Sequence, residues 1–207
     1  MTINMKVEKM ILFAVFVGAY MQAGAANHIT KSIVPYIKSD TEPHRPGELY
    51  EHFPEGWEKG KAPLKTDYKG SEAEYATGKW QVKNMYPIKS ANISIARHQK
   101  YTMMIRKGVE ASLEMDFDLP YGTSKFSFYY GAAVPASDTV PSALRVEYSQ
   151  DSGATWTVLG PDLKVTDSYK FYFKEYTLNI KGPVRFRIHK LKGGARLSVD
   201  DVAVYQN

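Results

Sequence analysis

The chain has 207 residues, with 27 Lys and Arg against 22 Asp and Glu, and no cysteine. Zero cysteines exclude a disulfide framework, a thiol nucleophile and a lipid-modified N-terminal Cys. A formal charge of +5 permits an anionic partner without implying nucleic acid.

Lys6 and Lys9, the apolar run Met10 to Met21 and the small-residue pattern Ala23-Gly24-Ala25 are the three regions of a secretory signal peptide, which predicts cleavage after Ala25. The apolar run spans 12 residues, short of the ~20 that a transmembrane helix needs. Export without a transmembrane anchor follows, to the periplasm, the cell surface or the medium. Residues 26–47 carry Pro35, Pro43, Pro46 and Gly47 without sustained periodicity and read as a leader segment. Residues 48–207 then form one domain, long enough to bury well over half of its unfolded surface.

Early in that domain a strand is expected around Lys79 to Val82. From Ala111 to Leu119 every odd residue is apolar, and three of the four even ones are acidic, the period of a strand with one dry and one wet face. The alternation recurs with Phe126, Phe128 and Tyr130, with Leu144, Val146 and Tyr148, and with Val184, Phe186 and Ile188. Pro120-Tyr121-Gly122, Asp151-Ser152-Gly153, Lys181-Gly182-Pro183 and Lys192-Gly193-Gly194 separate the runs as turns. Short strands without a convincing helix predict an all-β fold of two packed antiparallel sheets, a jelly-roll β-sandwich. In the last strand Leu197 and Val199 share one parity and Val202 and Val204 the other. The inward face therefore changes phase at Asp200-Asp201, either through a β-bulge or because one strand ends at Val199 and another begins at Val202.

Several residue groups bear on function. Ser149-Gln150-Asp151-Ser152-Gly153-Ala154-Thr155-Trp156 fits the pattern Ser-x-Asp-x-Gly-x-Thr-Trp, similar to the Asp-box of sialidases, a hairpin device in which Asp accepts turn amides and Gly supplies a permissive φ. Asp200 and Asp201 are candidate ligands for a structural calcium, which takes six to eight oxygens. Glu51 or Glu55 supplies a third carboxylate if the first and last strands lie side by side. Aromatic residues are plentiful, 15 Tyr, 9 Phe and 3 Trp, and the run Tyr169 to Tyr176 alternates poorly, so some of its rings should face outward. Rings beside polar groups suit the apolar faces of sugars. Trp57, Tyr129, Tyr172 and Tyr176 are the candidate ligand-binding residues, while Trp80 reads as core. Arg185, Arg187 and His189, followed by Lys190 and Lys192, form a basic row that could meet sulfated or phosphorylated ligands. Glu114, Asp116 and Asp118 share one strand face with Cβ atoms about 7 Å apart, formally a carboxylate pair for glycoside hydrolysis. No His-Glu-x-x-His, Gly-x-Ser-x-Gly or Gly-rich phosphate loop is present, so a non-enzyme is expected.

Glu51-His52-Phe53-Pro54-Glu55-Gly56-Trp57, Gly78-Lys79-Trp80, Thr102 to Arg106, the Ser149 to Trp156 hairpin, Gly182 to Ile188 and Ser198-Val199-Asp200-Asp201-Val202 together resemble secreted jelly-roll domains of Bacteroidetes-type bacteria. These are galactose-binding-like or choice-of-anchor-like accessory domains. The resemblance implies a module that binds carbohydrate or a cell surface, with Glu51 and Asp200 or Asp201 as calcium ligands in some members. A structural or interaction subunit of a cell-surface assembly is the alternative, and a glycan hydrolase the third reading.

Overall fold

A computed structural model describes residues 44–58, 68, 70–89, 100–132, 141–168 and 170–207. The expected signal peptide and most of the leader lie outside the described residues. Among the described residues there are twelve strands: β1 (Ser71–Tyr75), β2 (Gly78–Lys83), β3 (Met85–Lys89), β4 (Tyr101–Ile105), β5 (Ala111–Met115), β6 (Thr123–Ala132), β7 (Ser142–Ser149), β8 (Thr157–Val158), β9 (Leu163–Val165), β10 (Phe171–Ile180), β11 (Arg185–Lys190) and β12 (Leu197–Tyr205). One sheet has the order β1-β2-β5-β11-β7-β8, with β9 also on β7, and the other the order β10-β6-β12-β4-β3. All of these strand pairings are antiparallel. No helix occurs among the described residues, and the chain is the all-β, two-sheet sandwich that the alternating runs predict.

The core lies between the sheets and is built from the inward parity of each strand. On β5 Ala111, Leu113 and Met115 are buried, on β11 Phe186 and Ile188, and on β6 Phe126, Phe128 and Tyr130. Phe126 of one sheet stacks on Phe186 of the other with centroids 4.2 Å apart, a direct weld across the sandwich. At one end Trp57 meets Trp80 and Tyr75 edge to face, at 5.4 and 5.1 Å.

The phase change at Asp200-Asp201 is a bulge inside a continuous β12. The β12–β6 register slips between Asp200 and Ala203, and Asp201 takes a φ of 45°, the left-handed conformation that bulges often demand. The bulge marks a change of neighbour. Before it, Leu197, Ser198 and Val199 pair with β4; after it, Val202 and Tyr205 bridge to Glu55 and Leu49. Backbone hydrogen bonds from Gly47 to Gln206 (2.9 Å) and from Gln206 to Glu48 (2.8 Å) extend the contact. The opening segment of the domain and its last strand therefore lie side by side.

Candidate functional site

The acidic and basic rows of the seven-stranded sheet turn out to be one network. Arg187 is the direct cross-strand partner of Glu114 on β5 and of Glu147 on β7, and its guanidinium lies 3.6 and 2.8 Å from their carboxylates. Arg185 contacts Asp118 at 2.6 Å and Asp116 at 3.8 Å. The Arg185 hydrogen bond outweighs partial burial and lowers the Asp118 pKa, whereas burial raises that of Glu114. Arg185 and Arg187 of the expected basic row are thus neutralised by their neighbours, because the antiparallel register places opposite charges on the same face. Lys190 does not belong to that face: it is fully buried, and its Nζ donates to the carbonyls of Val109 (3.2 Å), Leu191 (3.3 Å) and Gly193. The carboxylates considered for glycoside hydrolysis are held by arginines.

The Asp-box-like hairpin is a closed local circuit. Ser149 Oγ donates to Asp151 Oδ1 at 2.6 Å and accepts from the Gly153 amide, while Asp151 Oδ1 accepts from the Thr155 amide at 2.9 Å. These bonds, led by those of Ser149 and Thr155, pull the Asp151 pKa down to about 2. Trp156 packs against the Arg187 guanidinium, 4.2 Å from ring centroid to Cζ. The motif pins β7 to β8.

At the β12 bulge the expected calcium ligands are only partly gathered. Asp200 is fully buried, with Oδ1 accepting the Asp201 amide at 2.9 Å. A Cβ placed on Gly56 would lie 3.2 Å from Asp201 Oδ1 and 3.9 Å from Asp200 Oδ1, so both carboxylates converge where Gly56 has no side chain. Glu51 is on an exposed turn, 3.7 Å from His52 Nε2. Glu55 is buried and already accepts from the Trp57 amide (2.8 Å), the Thr77 amide (3.1 Å) and Thr77 Oγ1 (2.8 Å). Burial raises its pKa against those bonds. Among the described residues no three His, Asp or Glu side chains assemble a metal site. The expected set Glu51, Asp200 and Asp201 is thus not brought together as such a group among the described residues.

The four aromatic candidates divide by strand face. Trp57 is 2% exposed, takes a positive φ and donates from Nε1 to the Val199 carbonyl at 3.0 Å, so its ring is core rather than an open platform. Tyr176 is 9% exposed, on the inward parity of β10, and its buried hydroxyl has no hydrogen-bond partner among the described residues. Tyr172 shares that parity: its ring stacks on Tyr130 at 5.4 Å and its hydroxyl donates to Asp167 at 2.7 Å. Only Tyr129 is on the outward face of the five-stranded sheet.

Two residues that sequence reasoning passed over join it there. Phe173 is the cross-strand partner of Tyr129 and Phe171 that of Gly131. The Tyr129 ring lies 4.9 Å from Phe173 and 5.2 Å from Phe171. Phe173 is 53% exposed, one of two large apolar side chains so exposed among the described residues. Gly131 is required beneath them, since a Cβ there would run into the Lys170 carbonyl as the chain enters β10. The signal was readable: in Thr177-Leu178-Asn179-Ile180 the even positions are apolar, which turns Tyr172 and Tyr176 inward and Phe171 and Phe173 outward. Beyond Tyr129 the same face continues through Asp200 and, one row along, through Ser198, Met104 and Tyr86. Met104 is buried there with Tyr68, Tyr86 and Ile88 against it. The outward face thus carries an aromatic triad at the β10 side, with Phe173 half in solvent, and a covered cluster at the β3 side.

No protein-family model matches the sequence, and a comparison with curated proteins finds no match. Among solved structures the chain is similar to the CBM22-1 xylan-binding domain from Paenibacillus barcinonensis Xyn10C, at 12% identity with a TM-score of 0.50, over 79% of this chain and 97% of that one. It also matches TmCBM61 in complex with β-1,4-galactotriose, at 17% identity and a TM-score of 0.47, over 62% and 88% of the two chains. A third is the C-terminal CBM6 of LamC from Zobellia galactanivorans, at 14% identity and a TM-score of 0.40, over 60% and 90%. The first of these shows the fold alone: the chain has a jelly-roll sandwich like that of the xylan-binding domain.

Proposed function

We propose that the chain is an exported, non-catalytic module that binds carbohydrate on the outward face of its five-stranded sheet, with Tyr129, Phe171 and Phe173 as the sugar-stacking rings. One observation carries the reading: the Tyr129 ring of β6 meets both Phe171 and Phe173 of the edge strand β10 on the outward face, with Phe173 half in solvent, while Trp57, Trp80 and Tyr176 are buried. Flat apolar rings next to hydrogen-bonding groups match the alternating apolar and hydroxyl faces of a pyranose. The carbohydrate-binding modules of like fold support the same reading. A glycan array tests it: the protein should be retained on a subset of glycans and Phe173→Ala should lose them, whereas no retention across a broad array would count against it.

A second reading shares the same rings. Among the described residues β10 pairs only with β6, so a protein partner could add a strand beside it, anchored by Phe173. That reading makes the chain an interaction subunit of a surface assembly; its partner would co-purify, and Phe173→Ala would release it.

We also propose a structural calcium at Asp200 and Asp201, supported by the two carboxylate oxygens that converge at Gly56. Calcium requires more oxygens than two carboxylates supply, so backbone carbonyls and water would complete the shell.

A further inference from the structure

One step beyond the Leu197–Ile105 pair of β12 and β4, the antiparallel register sets Arg196 opposite Arg106. Arg106 continues the ladder on its other side, its amide donating to the Asn84 carbonyl at 3.0 Å. Both arginines have the parity of Ser198 and Met104, the outward face of the five-stranded sheet. Like charges set directly across a sheet repel each other and destabilise the pair. No carboxylate among the described residues forms a salt bridge with either one. The Arg187 network shows the contrast, since there the guanidinium has Glu114 and Glu147 as cross-strand partners.

The surroundings fix one arginine and leave a donor on the other. The Arg106 guanidinium lies 5.4 Å from the centroid of Tyr68, which in turn packs edge to face on Tyr86 at 4.8 Å. Arg196 Nε is buried without a hydrogen-bond partner, and such a donor costs free energy until an acceptor meets it. Burial pushes the Tyr68 hydroxyl up to about 12, while the charges of Arg196 and Arg106 both act to lower it, so the two guanidiniums share one neighbourhood.

We infer that Arg106 and Arg196 form an oxyanion subsite, taking the carboxylate or sulfate of an acidic polysaccharide bound on the outward face of the five-stranded sheet. A planar guanidinium suits either group, and an anion between the two arginines would remove their repulsion and satisfy the Nε donor. The inference rests on the carbohydrate-binding reading, to which it adds the class of sugar.

The test uses the whole chain and the double variant Arg106→Gln/Arg196→Gln in affinity electrophoresis. Polygalacturonate supplies carboxylates without sulfate, κ-carrageenan supplies sulfate esters without carboxylates, and xylan or galactan serves as the neutral arm. The wild type should be retarded by an acidic polymer, with retardation that weakens as salt rises, and the double variant should bind it about tenfold more weakly. Which polymer responds names the oxyanion, and Phe173→Ala should weaken acidic and neutral binding alike. Equal binding of the acidic polymers by wild type and double variant overturns the inference, as does retention of neutral polymers alone. If no polymer is retained, the carbohydrate reading fails separately, and inorganic sulfate decides the subsite. A rise in the wild-type thermal midpoint that the double variant lacks upholds it; no rise overturns it.

Discussion

Tyr129 on β6 and Phe173 on β10 are direct cross-strand partners whose ring centroids lie 4.9 Å apart on the solvent side of the five-stranded sheet. Residues one step along β10 point the other way, with Tyr172 stacked on Tyr130. A single change of parity thus separates the rings that hold the sandwich together from the rings that face outward.

Trp57 belongs to the first group. Its burial, its hydrogen bond to Val199 and its edge contacts with Trp80 and Tyr75 predict that Trp57→Ala costs about 3–5 kcal/mol of stability. Chemical denaturation measures this. A variant as stable as the wild type would contradict the core placement.

Asp151 is a local stabiliser with a pH signature. Its folded pKa is lowered from 3.8 to about 2, chiefly by Ser149 and Thr155. The stability it contributes is present above the ordinary carboxylate value and is lost as pH falls towards about 2. Carboxyl NMR titration should give a midpoint near 2 that moves back up in Ser149→Ala; a midpoint at the ordinary value would remove the hydrogen-bonded circuit.

The Arg187 and Glu147 side chains are only 22% and 10% exposed, so their ion pair is shielded from the screening that makes surface pairs weak. A double-mutant cycle with Arg187→Ala and Glu147→Ala should return a coupling of roughly 1–3 kcal/mol. Coupling near zero would mean that the Trp156 contact, not the ion pair, fixes Arg187.

Calcium at the bulge is tested by thermal unfolding in calcium and in chelator. The midpoint should rise with calcium in the wild type and stay fixed in Asp201→Asn. Coincident wild-type curves would sink that proposal, leaving Asp200 and Asp201 as parts of the bulge alone.

Much of the sandwich was legible because its central strands alternate cleanly. Ala111 to Leu119 and Val184 to Ile188 each declare an inward face, and Leu197 to Val204 declares even the slip that became the bulge. β1 and β3 were not legible: Ser71-Glu72-Ala73-Glu74-Tyr75 buries only small or single apolar groups, and Pro87 interrupts β3. The site was half legible. Tyr129 follows from the alternation of β6, but in β10 aromatic residues occupy both parities from Phe171 to Phe173, and hydrophobicity cannot rank two apolar faces. The polar spacing of Thr177 and Asn179 at the far end of the strand carries the answer. Which charges neutralise each other was hidden for another reason, since Arg187 meets Glu114 and Glu147 only through pairing of strands distant in the chain.

Isothermal titration of the wild type and Phe173→Ala with a glycan retained on the array tests the central claim most directly. Phe173 is half in solvent, so its truncation should leave the thermal midpoint nearly unchanged while weakening binding about tenfold or more, the loss of a stacking ring worth ~1.5 kcal/mol. Equal affinity of the two proteins for that glycan would contradict the account.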